Sequence, residues 1–403
     1  MEPSIKLHPS FKFNGLEFET SEEIVLFAKQ LKENGASHEI AIAKFIVKWF
    51  NEKPYIKVKT SGSTGTPKKI KLLKTNMVHS AFATGVYFNL GTNNTALLCL
   101  SAKYIAGKMM LVRALTMGWD LHVVAPDKDA ITQYDNTYDF AAMVPYQVYH
   151  TLNALDKIKK LIIGGGVIDP DLEAKLQTKS TQVYATYGMT ETITHVAVRR
   201  VNGEDKTNVY SALPNVSFDL DSRGCLVIDA PIQGSSKVVT NDVVTLHDAK
   251  SFEWLGRYDN VINSGGIKLY PEKIELLLRN FIKVPFIISS LQDQALGEQL
   301  ILVLQLDDPK QVATYSEAIS ELEPYHRPKK IFTLSKFPLT QTGKIKRSAI
   351  KDLIKGDGAI VEVKELNKVI TLKDDQINLF KQKDTLKDQK ISIERYMRIV
   401  DEW

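Results

Sequence analysis

The stretch Tyr55–Lys69, "YIKVKTSGSTGTPKK", places a β-rich run directly before a loop of glycine, hydroxyl and lysine residues. Phosphate binding needs close backbone approach, hydrogen-bond donors and positive charge, and the loop offers all three. Its spacing is not that of the Walker A loop, so an ordinary solvated loop remains an alternative. The candidate phosphate-binding residues are Thr60, Ser61, Gly62, Ser63, Thr64, Gly65 and Lys68.

Strand-like and helical runs alternate along part of the chain. From about residue 55 to 186, short β-rich runs are separated by helical stretches, which predicts an α/β domain of layered sheets and helices. Turns then multiply and indicate a β-rich subdomain, and from 260 onward the pattern predicts a small α+β domain. The expected domains are 1–257 (large, N-terminal), 260–355 (small, C-terminal) and 356–403 (a charged, helical tail).

Composition narrows the class of protein. The 403 residues carry a net charge of +5, which suits an anionic ligand but is too weak and dispersed to indicate nucleic-acid binding. Two cysteines in apolar runs indicate neither a disulfide framework nor a zinc site. The N-terminal segment has no signal pattern and no apolar run is long enough for a membrane span. We therefore expect a cytoplasmic protein.

A second motif is "ATYGMTET", Ala185–Thr192, after a predicted strand. Tyr187 could stack on a base, Thr190 could donate to a phosphate, and the Glu191 carboxylate could bind a hard cation. A strand end followed by a capped helix explains the same residues without any ligand.

Two further motifs carry polar residues at turns. Asp242 in "VVTND" could accept hydrogen bonds from ribose hydroxyls, although a turn aspartate is the simpler interpretation. In "GRYDNVINSGGIKLYPEKIE", Arg257 could reach a ribose or phosphate, and Gly265 and Gly266 permit unusual backbone conformations. The alternative is an ordinary loop leading into a helix that begins at Pro271.

The last motif is "PLTQTGKIKR", Pro338–Arg347, in which Lys344 follows a glycine on a short loop. This is a suitable position for a mobile cation, and a solvent-exposed hairpin lysine is the alternative.

The order of these motifs resembles the adenylate-forming superfamily, which contains acyl-CoA synthetases, luciferases and peptide-synthetase adenylation domains. The resemblance covers roughly residues 55–350, and "IIGGGVIDPDL", Ile162–Leu172, is similar to the superfamily's adenine-binding segment. It implies that a carboxylic acid reacts with ATP to give an acyl-adenylate and pyrophosphate, with Mg²⁺ present. The thiol of coenzyme A then displaces AMP.

The resemblance also implies a role for each motif. The 60–68 loop would hold the β- and γ-phosphates, and Lys344 would bridge the carboxylate and the α-phosphate. Asp259 matches the hinge between the two domains, so that the small domain would be mobile. The remaining implied roles are α-phosphate binding (Thr190), Mg²⁺ (Glu191), adenine (Gly164, Gly165, Gly166, Tyr187), ribose (Asp242, Arg257), the CoA side (Gly265, Gly266) and cofactor binding in general (Gly188).

One segment narrows the choice of acid substrate. It is Leu97–Leu121, "LLCLSAKYIAGKMMLVRALTMGWDL". Its glycine, followed by an apolar helix containing Arg113, resembles the o-succinylbenzoate–CoA ligases of menaquinone synthesis. Relatives carry a histidine where this chain has "AKYIAG", so Lys103 or Tyr104 is expected to take that place. A guanidinium can bind a carboxylate through two hydrogen bonds, and we expect Arg113 to recognise a dianionic acid. A structural ion pair or a snorkelling side chain is the alternative.

Other functions remain open at this stage. An acyl-CoA ligase for another aryl or short-chain acid would use the same chemistry with a different pocket. A non-catalytic nucleotide-binding relative would need neither Lys344 nor Glu191. An ATP-hydrolysing phosphate-loop protein is disfavoured because the Walker spacing is absent.

Overall fold

The computed structural model describes residues 5–59, 69–231, 235–339, 345–356 and 359–362. The chain divides into two compact units, Met1–Trp254 and Leu255–Trp403. The loop 60–68 and Lys344, both predicted to be functional, lie outside the described residues. Within the described ranges, no helix combines the length and the apolar character that crossing a bilayer requires.

The larger unit contains six α-helices and fifteen strands within the described residues. The helices are α1 (Ser21–Asn34), α2 (Ser37–Trp49), α3 (Lys74–Phe88), α4 (Ile105–Met117), α5 (Pro145–Thr151) and α6 (Pro170–Leu176). The strands are β1 (Lys12–Phe13), β2 (Leu16–Glu17), β3 (Tyr55–Lys59), β4 (Lys69–Leu73), β5 (Thr95–Leu98), β6 (Asp120–Val123), β7 (Tyr138–Met143), β8 (Ile158–Ile163), β9 (Gln182–Gly188), β10 (His195–Arg200), β11 (Val209–Ala212), β12 (Ser217–Leu220), β13 (Cys225–Ala230), β14 (Ser235–Asp248) and β15 (Ser251–Arg257).

One mixed sheet organises this unit. Among the described residues its order is β12-β13-β14-β15-β11-β10-β9-β8-β7-β5-β6-β1-β2, while β3 and β4 form a separate hairpin. The strands β6, β5, β7, β8 and β9 are parallel, and the sheet becomes antiparallel where β9 meets β10. The predicted α/β class is confirmed, and the β-rich subdomain is an antiparallel continuation of the same sheet.

Both faces of the parallel strands are covered. On β5, Ala96 and Leu98 pack with α1–α4, whereas Leu97, and Cys99 just after the strand, pack with α5 and α6 on the opposite face. Because side chains alternate between faces along a strand, double-sided burial requires a continuous apolar run. The sequence "TALLCL" meets that requirement. Both cysteines of the chain, Cys99 and Cys225, are buried and form no disulfide.

A local side-chain hydrogen bond defines the start of α1. Thr20 caps α1, because its hydroxyl accepts a hydrogen bond from the Glu23 amide at 3.2 Å. Most side chains of α4 are buried, from Gly107 to Met117. A helix that is apolar around its circumference is typical of an interior position, which explains how Arg113 comes to be inside the protein.

The smaller unit is built on a second sheet. Its strands within the described residues are β16 (Ile262–Ser264), β17 (Ile267–Leu269), β18 (Phe286–Asp293), β19 (Gly297–Gln305), β20 (Lys330–Leu334) and β21 (Ala359–Glu362), and its helices are α7 (Pro271–Leu278), α8 (Ser316–Glu321) and α9 (Arg347–Gly356). The order is β17-β16-β19-β20-β21, with β18 on β19. The sheet therefore extends to Glu362, into the segment predicted as a helical tail. The short apolar run around Ile360 pairs with β20 instead of forming helix.

A buried ion pair connects three elements of the smaller unit. The Glu275 carboxylate on α7 is 5% exposed, and Nη2 of Arg347 lies 2.7 and 2.6 Å from its two oxygens. Arg347 also donates through Nη1 to the Ile288 carbonyl at 2.9 Å, and the Ile288 amide donates to Glu275 at 2.8 Å. Burial raises the pKa of Glu275, while the guanidinium opposes that shift. The pair thus ties the start of α9 to α7 and β18.

We predict that Glu275→Ala lowers the free energy of unfolding of this unit by about 3 kcal/mol, because it leaves a guanidinium and a buried amide without their partner. Chemical denaturation measures the change. The exposed Glu317→Ala on α8 is the matched control, with an expected change below about 0.5 kcal/mol. Equal effects of the two substitutions would contradict the role of the ion pair.

Candidate functional site

Two predicted site segments lie at the carboxyl ends of neighbouring parallel strands. Gly164–Gly166 comes directly after β8, and Tyr187 and Gly188 end β9. Carboxyl ends of parallel strands share one edge of a sheet, where ligands of α/β proteins usually bind. A Cβ at Gly164 would lie 2.7 Å from the Thr186 hydroxyl, and Gly165 has a φ of +79°. The positive φ favours glycine at 165, and at 164 a side chain would crowd the Thr186 hydroxyl.

Tyr187 and Asp242 are brought together by a direct hydrogen bond. The Tyr187 hydroxyl donates to Asp242 Oδ2 at 2.7 Å, and Trp254 Nε1 donates to Oδ1 at 3.2 Å. Asp242 is only 6% exposed, and these donors orient its two carboxylate oxygens. The Tyr187 ring packs edge-on against Phe252 at 5.1 Å, which holds it in place.

Thr190 and Glu191 lie on a short 3-10 helix, Thr190–Thr192, just beyond β9. A Cβ on the preceding Gly188 would lie 2.3 Å from the Thr194 carbonyl oxygen, so glycine is needed for this close approach. The Glu191 side chain is exposed and forms no hydrogen bond or ion pair with the described residues. An unengaged carboxylate oxygen is the ligand type that Mg²⁺ takes from proteins, usually with substrate phosphates completing the shell. Glu191 therefore fits the predicted Mg²⁺ role.

A strained turn follows this helix. Ile193 has φ +69° and ψ −57°, and the Thr194 amide donates to the Thr192 carbonyl at 2.7 Å. These values define a γ-turn with positive φ, which is rare and unfavourable for a β-branched residue. Strain of this kind costs about 1–3 kcal/mol and is concentrated at functional sites. Here it directs Thr194 and His195 toward α4.

Arg113 lies on α4, facing this turn, and is 2% exposed. Its Nε donates to the Thr84 hydroxyl and its Nη2 to the Thr194 hydroxyl, each at 3.2 Å, while Nη1 contacts the Met110 sulfur at 3.6 Å. No acidic side chain among the described residues pairs with it. Burial alone lowers the pKa of Arg113 to about 9. The predicted alternatives, an ion pair or a snorkelling side chain, find no support in the described contacts.

His195 at the start of β10 was missed by the sequence reasoning. Its Nε2 lies 3.5 Å from the Thr84 hydroxyl and its Nδ1 lies 3.3 Å from the Thr194 hydroxyl. Burial and the nearby Arg113 charge lower its pKa well below the usual value. The available signal was a histidine three residues after "TET" at the head of an apolar strand, and that signal is weak without the fold.

Lys103 and Tyr104 are not brought to Arg113. Both are exposed where α4 begins, and Tyr104 is 69% exposed. Arg113 is nine positions after Tyr104, which is about 13 Å along the helix axis. The Lys103 carbonyl accepts a hydrogen bond from Lys108 Nζ at 2.6 Å.

The smaller unit holds the other described candidates. Arg257 Nη2 and Asp259 Oδ2 form a loose ion pair at 3.8 Å, in which Asp259 is exposed and Arg257 is half-buried. Gly265 and Gly266 have φ of +59° and +82° and form the two-residue turn between β16 and β17. Two positive φ values identify a type I′ hairpin turn, which by itself accounts for the glycine pair. Pro338 and Lys346, on either side of the segment containing Lys344, are joined by a backbone hydrogen bond of 2.9 Å.

A comparison with protein families finds a match over residues 21–226 to a model described as AMP-binding enzyme. Among curated proteins, the 2-succinylbenzoate–CoA ligases of Staphylococcus epidermidis and Escherichia coli are each 26% identical to the chain. The first alignment covers 72% of this chain and 68% of the relative, and the second covers 73% and 68%.

Solved structures give a consistent result. An acyl-CoA synthetase (AMP-forming)/AMP-acid ligase II-like protein from Dyadobacter fermentans is 34% identical, with a TM-score of 0.56 over 81% of this chain and 98% of that one. The o-succinylbenzoate CoA synthetase of Bacillus subtilis, in complex with its acyl-adenylate intermediate, is 20% identical, with a TM-score of 0.63 over 73% and 68%. At that identity the second likeness shows the fold only.

We predict that Arg113→Met leaves the free energy of unfolding unchanged or raises it by about 1 kcal/mol, because it removes a buried charge that lacks a described counter-ion. Urea denaturation measures the change. A loss of about 3 kcal/mol would instead mean that Arg113 has a structural ionic partner.

Proposed function

This chain belongs to the AMP-binding enzyme family, and from that membership we propose that it is an ATP-dependent acid–CoA ligase acting through an acyl-adenylate. The proposed acid is o-succinylbenzoate. Its carboxylate attacks the α-phosphorus of ATP, the bond to the bridging oxygen breaks, and pyrophosphate leaves. The thiol of coenzyme A, losing its proton, then attacks the acyl carbon and AMP leaves, which gives o-succinylbenzoyl-CoA.

One observation carries the choice of acid. Arg113 is a fully buried cation whose described contacts are two hydroxyls and a thioether. A buried charge is costly unless an opposite charge accompanies it. A substrate with a second carboxylate, remote from the reacting one, would supply that charge. The names of the curated relatives favour the same acid, since they are 2-succinylbenzoate–CoA ligases.

The nucleotide is proposed to bind at the edge formed by β8 and β9. Gly164–Gly166 and the Tyr187 ring would flank adenine, and Asp242 would accept from the ribose hydroxyls. Thr190 would donate to the α-phosphate, and the loop 60–68 would hold the β- and γ-phosphates. Because carboxylate and polyphosphate repel each other, catalysis depends mostly on positioning and charge compensation.

Glu191 is the proposed protein ligand for Mg²⁺. When bound, the metal offsets the negative charge of the phosphate oxygens. The protein contributes the exposed Glu191 carboxylate on the short helix after β9. No described residue would have to leave this carboxylate before the metal binds.

The smaller unit is proposed to supply Lys344 in the first step and the CoA side in the second. Arg257 would complete the ribose contacts, and Gly265–Gly266 would line the CoA side. Asp259 is the proposed hinge. A hinge residue must tolerate a large dihedral change, and Asp259 is exposed, so its side chain is not confined by a packed core.

The test is pyrophosphate exchange into ATP and CoA-thioester formation, each with o-succinylbenzoate, with a panel of aryl and short-chain monocarboxylates, and with no acid. We expect both activities with o-succinylbenzoate and at least about tenfold lower specificity constants with the monocarboxylates. Preference for a monocarboxylate would support the runner-up, another acyl-CoA ligase. Nucleotide binding without exchange would indicate a non-catalytic relative. A ligase that consumes ATP and CoA would be cytoplasmic.

Lys344→Ala is expected to slow acyl-adenylate formation by about 3 kcal/mol, or roughly 100- to 1,000-fold, because it removes a preorganised cation from the developing charge. Thiolysis of supplied acyl-adenylate should change much less. Stopped-flow measurement of the two half-reactions separates them, with Lys336→Ala as the matched exposed control. Equal losses in both half-reactions would rule out the assignment.

A further inference from the structure

Four polar side chains, of which three are buried and Thr194 is half-buried, form a closed arrangement between α3, α4 and the start of β10. The guanidinium of Arg113 and the imidazole of His195 do not contact each other directly. The hydroxyls of Thr84 and Thr194 lie between them, each within 3.2 Å of a guanidinium nitrogen and within 3.5 Å of an imidazole nitrogen. We call these four residues the Arg113 network.

The hydrogen positions in the Arg113 network can be assigned by following the donors. The Thr84 hydroxyl donates its one hydrogen to the Ser80 carbonyl at 3.1 Å. It must therefore accept from both Arg113 Nε and His195 Nε2, which places the imidazole hydrogen on Nε2. His195 Nδ1 is then an acceptor, and the Thr194 hydroxyl donates to it while accepting from Arg113 Nη2. Every hydroxyl and both imidazole nitrogens are satisfied by a neutral histidine.

A protonated histidine would break this pattern. It would carry a second hydrogen on Nδ1, which would point at the Thr194 hydroxyl and force that hydroxyl to donate elsewhere. It would also add a second buried positive charge beside Arg113. The lowered pKa of His195, caused by burial and by Arg113, agrees with the neutral form. The network therefore carries one positive charge, on the guanidinium.

The Arg113 network holds the guanidinium without neutralising it. Of the five N–H groups of an arginine, the described contacts engage one on Nε, one on Nη2 and one, weakly, on Nη1 with a thioether. The rest have no described acceptor. A fixed orientation with unused donors and an unbalanced charge is what a carboxylate-binding group needs, because the ligand then finds its partner already ordered.

Thr194 and His195 owe their place to the strained turn at Ile193. The Ile193 side chain is 2% exposed and packs in the same core as α3 and α4. Its unfavourable φ is therefore maintained by packing, and the following two residues are fixed relative to the helices. The strained turn at Ile193 would then serve binding, because it fixes the positions of the Thr194 and His195 side chains.

We propose that His195 is a positioning residue for the acid: through Thr84 and Thr194 it fixes the Arg113 guanidinium so that the unused N–H groups bind the remote carboxylate of the substrate. This inference rests on the proposed function. It assigns the acid pocket a histidine from β10, whereas the sequence suggested that Lys103 or Tyr104 would replace the missing histidine.

The test is a double-mutant cycle with His195→Phe and Arg113→Met, using o-succinylbenzoate as the probe. Calorimetry in the presence of AMP gives its dissociation constant without requiring turnover. We expect His195→Phe to weaken binding about tenfold in the wild-type background and to have less than about a twofold effect in the Arg113→Met background. Affinity for ATP should stay within about twofold in all variants.

His195→Asn is the conservative variant, because its amide oxygen can still accept from Thr194. It should recover most of the lost affinity, to within about threefold of wild type. His247→Phe, at an exposed position of β14, is the matched control and should leave binding unchanged. Thermal unfolding of each variant shows whether it is folded.

Equal weakening by His195→Phe in both backgrounds, or a parallel loss of ATP affinity, would show that the residue is merely structural and overturn the inference. Wild type that fails to bind o-succinylbenzoate would overturn it as well. Failure of the proposed function gives a different result: no CoA thioester from wild type. In that case, the dependence of o-succinylbenzoate binding on Arg113 still decides the role of His195.

Discussion

The central constraint on the larger unit is the presence of a positive charge inside an apolar helix. Arg113 is surrounded by the buried side chains of α4 and by α3, and only uncharged groups contact it among the described residues. Burying such a group opposes folding, and the surrounding core must compensate. In the proposed function this charge binds the acid, which would connect the packing of α3 and α4 to the chemistry of the substrate.

The sheet arranges the rest of the site around that charge. The parallel strands β8 and β9 end at a common edge and present the glycine segment and Tyr187 there. The change to antiparallel pairing at β10 returns the chain immediately, so that Glu191, Thr194 and His195 lie within five residues of one another between two strands. The γ-turn at Ile193 makes this sharp return possible. The candidate nucleotide-binding residues Thr190 and Glu191 thus share one connection between β9 and β10 with Thr194 and His195 of the Arg113 network.

The sequence predicted much of this architecture. Alternating apolar runs identified the α/β class, and the order of motifs identified the residues at the ends of β8 and β9. It did not indicate that the β-rich part continues the same sheet, because strand pairing across distant segments has no local signal. His195 escaped notice for a related reason: its partners, Thr84 and Arg113, are 111 and 82 positions away in the chain. Local patterns detect the face of a helix, whereas a network assembled from three elements exists only after folding.

The burial of the two cysteines decides whether such an enzyme can form disulfides with its thiol substrate, coenzyme A. Both are inside the protein, and burial raises the pKa of Cys99 to about 12. Disulfide exchange proceeds through an accessible thiolate, so neither cysteine is able to capture coenzyme A or its oxidised dimer. The native protein would therefore stay free of mixed disulfides in a pool of coenzyme A, and a thiol-specific dye would register the cofactor alone.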